Sequence, residues 1–93
     1  MRIVDYIAAE RLADLREQRG LSREALAADI RRVAVEQGSF RVHGAVDAFT
    51  IRRIERDGHC PSERVRLVIA RYFELNPKDI WDRSNRHRID GPA

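Results

Sequence analysis

Three times in this 93-residue chain an apolar residue, a capping side chain and a second apolar residue recur at the same offsets: Leu21, Ser22 and Leu26; Val46, Asp47 and Ile51; Leu75, Asn76 and Ile80. Each set is the signature of a helix start. The cap side chain accepts a backbone N–H of the first turn, and the two apolar residues close over it as a hydrophobic staple. Starts this close together leave room only for short helices, which are marginal alone and must bury a face against one another. The chain is therefore expected to be all-α, a compact bundle of four to five short helices.

The segment VDYIAAERLADLREQRG places Val4, Ile7, Ala8, Leu12 and Leu15 at a period near 3.6 and ends on Gly20, which predicts the first helix. The second follows Ser22, keeps Leu26, Ile30 and Val33 on one face, and extends as far as Gln37 before Gly38. GSFRVHGA alternates polar and apolar residues between two glycines and reads as an ordered loop or a small two-stranded wing. The third helix begins at Ala48 and is ended by Asp57 and Gly58. A fourth follows HCPS with Val65, Val68, Ile69, Tyr72 and Phe73 as its buried stripe. LNPKDIW starts a fifth, with Pro77 at the first helical position and Ile80 and Trp81 closing the core. Residues 1–82 make one domain, and residues 83–93 a basic tail expected to fray.

No apolar run approaches the roughly 18 residues of a membrane span. MRIVDYIAAE lacks the pattern of a signal peptide, so a cytoplasmic location with no membrane partner is expected. Cys60 is the only cysteine, which excludes an internal disulfide and a thiolate-rich metal site. His59 beside it reads as a loop residue, because a metal needs three or four convergent ligands. There is no Gly-rich phosphate loop, no paired carboxylates and no nucleophile beside a base, so no enzyme, catalytic residue, metal or cofactor is expected. The net charge of +3 favours an anionic partner weakly, but seventeen of the eighteen Lys and Arg residues are Arg. Arg suits bidentate recognition of phosphate and guanine, although GC-rich coding would produce the same bias. Only their placement decides.

AVDAFTIRRIERDG is the informative placement. At about 100° per residue, Ala48, Ile51, Ile54 and Glu55 share one side of the helix, and Phe49, Arg52, Arg53 and Arg56 spread over the other. A solvated face normally mixes signs, as the first helix does. Here every outward charge is positive, and a large aromatic sits among them. Either the loop over residues 38–45 folds over Phe49 or a partner covers it. Glu55, on the inner side, needs a cation, and Arg16 on the first helix is the best placed.

Taken in order, LADLREQRGLSREALAADI, TIRRIERDG and a Pro-Ser helix start resemble the helix-turn-helix domain of the phage repressor and Cro group, the XRE family, over residues 8 to 82. FELNPKDIWDRSNR resembles, over a shorter stretch, the end of Ner-type phage regulators. One departure stands out. The family joins its two motif helices by a tight turn containing Gly, whereas here Arg31 holds the Gly position and about a dozen extra residues precede Asp47.

The resemblance implies a lambda-repressor-like helix-turn-helix fold with an inserted loop or small wing before the recognition helix. It implies a sequence-specific double-stranded DNA-binding transcriptional regulator, a phage or mobile-element repressor or Cro-like protein, reading the major groove with helix 48–57. Controller proteins of restriction systems and antitoxins share that fold. It pairs Arg16 with Glu55 and makes Ala48, Phe49, Arg52 and Arg53 the base-reading residues. Backbone contacts fall to Ser22, Arg23, Arg56, His59, Ser62 and Arg64, and to Arg41 and His43 in the inserted segment. A homodimer on a pseudo-palindromic operator follows, with Ile3, Ile7, Ile89 and exposed parts of Trp81 as candidates for its interface, each equally a candidate for the core. A reading from a different class is a protein-binding module, such as an antitoxin or polymerase-interacting regulator, in which the Phe49 and arginine face docks an acidic partner.

Overall fold

A helix leaves the backbone N–H groups of its first turn unpaired, and this chain meets that requirement at each start. The computed structural model describes residues 2–38 and 46–89. They form α1 (Tyr6–Gln18), α2 (Arg23–Glu36), α3 (Ala48–Asp57), α4 (Glu63–Tyr72) and the short α5 (Pro77–Ile80), with strands β1 (Arg2–Val4) and β2 (His87–Ile89) near the two ends. Asp5, Ser22, Asp47 and Ser62 cap α1 to α4 by accepting from the backbone N–H groups of Ala8, Ala25, Thr50 and Val65. α5 opens on Pro77, and the Asp79 carboxylate reaches back to the Asn76 N–H at 2.9 Å.

The apolar faces of all five helices meet in one core. Leu12 of α1, Leu26 and Ile30 of α2, Ile51 and Ile54 of α3, Ile69 of α4 and Ile80 of α5 are buried, and Val46 and Trp81 are buried with them. Leu21 and Leu75, the outer halves of two staples, pack partly buried against it. Apart from a two-stranded sheet, the fold is an all-α bundle. Tyr72 sits at its margin, half-buried. It donates its hydroxyl to Asp29 on α2, while the Arg19 guanidinium lies 4.9 Å from its ring centroid and 4.8 Å from that of Phe73. No helix among the described residues is long and apolar enough to cross a membrane.

α2 ends at Glu36, followed by Gly38 at φ 79°. The loop or wing expected next, with Arg41 and His43, lies outside the described residues. What connects its two sides is Arg31, which donates from α2 to the Val46 carbonyl at 3.1 Å, just ahead of the α3 cap.

Three expectations are corrected. α1 starts at Tyr6, because Asp5 is its cap; Val4 belongs to β1 and is buried from there, while Ile7 is left exposed. Trp81 is 2% exposed, so it presents nothing to a dimer partner. Residues 83–89 do not fray. They form a 3-10 turn (Arg83–Asn85) and then β2, which pairs antiparallel with β1 in the register Arg2 to Ile89, Ile3 to Arg88 and Val4 to His87. So short a ribbon is marginal alone. It persists because Val4 is buried, because Val4 bridges to His59, and because the Asp5 N–H donates to the Gly58 carbonyl at 2.8 Å.

Gly58 makes that junction possible. It closes α3 in the left-handed region at φ 67°, and a Cβ there would stand 2.9 Å from the Tyr6 ring. Gly58→Ala is expected to lower stability by about 1–2 kcal/mol in urea unfolding. Gly20→Ala, at φ 66° with nothing within 4 Å of the added Cβ, should cost less. Equal losses would mean that the approach of Tyr6 contributes nothing.

Candidate nucleic-acid interface

Ten residues are too few for an independent helix, so α3 is oriented by what its inner face touches. Ile51 and Ile54 are fully buried in the core. Glu55 lies beside them with its side chain 2% exposed. Arg16 from α1 meets that carboxylate with two parallel bonds, Nε to Oε2 at 2.8 Å and Nη2 to Oε1 at 2.9 Å. Its Nη1 donates to the Leu21 carbonyl at 2.9 Å, so one guanidinium ties α1, the α1–α2 turn and α3 together. Hydrogen bonding to Glu55 holds the Arg16 pKa above its ordinary value, against the opposing effect of burial.

The outward face carries Phe49, Arg52, Arg53 and Arg56, all exposed; Phe49 is 65% exposed. Two shallow hollows flank it. One of ≈ 420 Å³ is bounded by Arg23, Glu24, Ala48, Phe49, Arg52 and Arg56, the other of ≈ 400 Å³ by Phe49, Arg52, Arg53, Arg56 and Asp57. The Arg53 guanidinium lies 5.9 Å from the Phe49 ring centroid and its Nη2 is 3.4 Å from His59 Nδ1. Among the described residues every ion pair takes its cation from Arg16, Arg23 or Arg32, which leaves Arg52, Arg53 and Arg56 without carboxylate partners.

The remaining described candidates lie mostly at helix starts. Ala48 is half-buried at its start. Ser22 is exposed at the start of α2, where its oxygen caps the helix and its hydroxyl proton stays free to donate. Arg23 is not the freely solvated cation that a phosphate contact suggests. Its Nε donates to Glu55 Oε1 at 3.1 Å, so it is held at the edge of the first hollow by the carboxylate that anchors Arg16. Ser62 caps α4, and Arg64, two residues on, is exposed. Arg41 and His43 lie outside the described residues. Arg2 was not legible as a site residue; β1 places it close enough to His59 to influence that ring's charge.

Among the described residues no three His, Cys, Asp or Glu side chains gather as metal ligands would. What the site offers is a row of donors and one aromatic ring, which suits binding of an anionic surface. Comparison of the chain with models of known protein families, with curated proteins and with solved structures finds no match.

Two measurements probe this geometry. Arg16→Ala leaves a buried carboxylate with Arg23 alone, and about 3 kcal/mol of stability should be lost. Arg23→Ala should cost less, and adding Glu55→Gln to Arg16→Ala should recover part of the loss in a double-mutant cycle. The second concerns pH. His59 is held below its ordinary 6.5, first by burial, then by Arg53 and Arg2, with Asp57 pulling the other way. The unfolded chain therefore takes up this proton first, so stability is intact above pH 6.5 and declines as pH falls below it. His59→Gln should flatten the melting temperature between neutral pH and about pH 5.

Proposed function

We propose that the protein is a sequence-specific double-stranded DNA-binding transcriptional regulator that lays α3 in the major groove, a repressor or Cro-like protein of the kind its sequence resembles. One observation carries this reading: a short helix, locked by Ile51, Ile54 and the Glu55 clamp, turns outward on a single face an exposed phenylalanine and three arginines that have no carboxylate partner among the described residues. An arginine can bond guanine O6 and N7 together, and an aromatic ring can meet a thymine methyl, so Arg52 and Phe49 are the residues chiefly assigned to base edges. Ser22 and Arg23, at the start of the preceding helix, are assigned to phosphates, where the helix dipole assists them. The family's tight turn is absent, and the Arg31 bond to the Val46 carbonyl is assigned the task of holding α2 against the start of α3. One reading helix covers few base pairs, so a homodimer on a pseudo-palindromic operator is part of the proposal.

The exposure of Phe49 favours one other reading, a module whose aromatic and arginine face docks an acidic protein. The two differ in response to salt and to sequence. In a gel-shift titration on DNA from the protein's own gene neighbourhood with random competitor, the wild type should give a discrete shift that survives competition. The Arg52→Ala, Arg53→Ala double mutant should melt like wild type yet lose about tenfold or more in specific affinity, from a bidentate contact worth about 1–3 kcal/mol. Binding that competitor erases equally for both proteins would favour the acidic protein partner.

A further inference from the structure

The sheet made from the two chain ends brings a cation to α3 that sequence order conceals. β1 lies between β2 and the residues that follow α3, through the Val4 bridge to His59 and the Asp5 N–H bond to the Gly58 carbonyl. Side chains alternate along a strand, so Arg2 shares a face with Val4, whereas Ile3 and its cross-strand partner Arg88 occupy the other. Arg2 and Arg53 both act on the charge of His59.

The protons here can be assigned. Arg53 Nη2 stands 3.4 Å from His59 Nδ1, and a guanidinium can only donate. Nδ1 is therefore the acceptor, and the neutral ring carries its proton on Nε2. Arg53 and His59 thus meet at the C-terminal end of α3, and β1, through the Val4 bridge to His59, brings Arg2 to the same side from a distant part of the chain. Asp57 is the one carboxylate that acts on His59, and neither Arg2 nor Arg53 forms an ion pair among the described residues. Two cations beside one another with no ion-pair partner of their own repel, and an anion placed between them removes that repulsion.

We infer that Arg2, Arg53 and His59 form a cradle for one backbone phosphate of duplex DNA, which makes the terminal β-sheet a second contacting element beside α3. The inference rests on the DNA-binding reading above. It moves Arg53 from base edge to backbone, where the Phe49 ring and His59 hold it, and it adds Arg2, a residue on no helix. Guanidinium groups grip the phosphate oxygens from two sides, and His59 donates from Nε2. Because Arg2 is positioned by pairing with β2, both strands of the sheet take part in one contact.

The test is fluorescence anisotropy of a bound operator duplex over a salt series, with wild type, Arg2→Ala, Arg2→Lys and Arg88→Ala. Losing one phosphate contact reduces the slope of log affinity against log salt by about 0.9. Arg2→Ala should show that reduction with a severalfold loss of affinity, Arg2→Lys should restore most of the slope, and Arg88→Ala, on the other face of the sheet, should match wild type. The charge-retaining variant keeps the test decisive if Arg2→Ala loosens β1. The His59 ring nitrogens, followed by NMR, should shift when duplex is added. If wild type binds its duplex and Arg2→Ala matches it in slope and affinity, the cradle is wrong while the DNA-binding reading stands. Equal losses in Arg2→Ala and Arg88→Ala would also overturn it, by revealing a diffuse charge effect. If inorganic phosphate alone shifts His59 saturably and duplex does not, the ligand is free phosphate and the second contact is overturned. Failure of wild type to bind any duplex removes the DNA reading and this inference with it.

Discussion

The Glu55 carboxylate is the constraint on which the arrangement of α3 depends. It is buried, bonded twice by Arg16 and once by Arg23, and Arg16 is bonded in turn to the Leu21 carbonyl. Burying such a group costs desolvation, which the attraction of its partners offsets only when the geometry is good. Its clearest effect is therefore on orientation. Turning α3 by one residue, about 100°, would carry Glu55 away from its cations and turn Arg52 into the place of Ile51 in the core. The direction of Phe49, Arg52 and Arg56 is the outer consequence of an inner ion pair.

Charges elsewhere in the bundle behave differently. On α2, Arg32 is paired with both Asp29 and Glu36, and Asp29 also accepts from Tyr72. These bonds keep the Asp29 pKa below its usual range, the Tyr72 hydroxyl contributing most. On α3 the outward cations have no such partners among the described residues. Arg53 alone is restrained, by Phe49 and His59, so part of the ordering that a bound anion would require is already in place.

The abundance of arginine has a structural use besides phosphate recognition and coding bias. Arg11 donates to the carbonyls of Asp79 and Ile80 at 3.3 Å, Arg16 to Leu21, Arg31 to Val46, and Arg66 to Pro61. Arg11 reaches the last turn of α5, where free carbonyls are in excess, and the other three reach the carbonyl of the residue just ahead of a helix cap. A forked, permanently charged donor fits that task better than an ammonium. The chain thus uses some of its arginines to fasten its helices together, while others, three of them on α3, face outward.

Caps, staples and helical periods involve residues within a few positions of each other, and so the starts at Ser22, Asp47, Ser62 and Asn76 and the inner and outer faces of α3 were legible in the sequence. The Arg16 and Glu55 pair was legible too, because a carboxylate on an apolar face demands a cation and helix 1 offered one. The second cation on Glu55 was not, since Arg23 looked equally ready for solvent. Nor was the terminal sheet: strands of three residues carry no usable alternation, and Arg2 and Ile89 meet across almost the whole chain. By itself the sequence determined which segments are helical and which faces are apolar, because those depend on neighbouring residues. The tertiary structure decided that β1 and β2 meet beside the end of α3 and which arginines lack a carboxylate partner among the described residues, because both follow from how the helices pack in space.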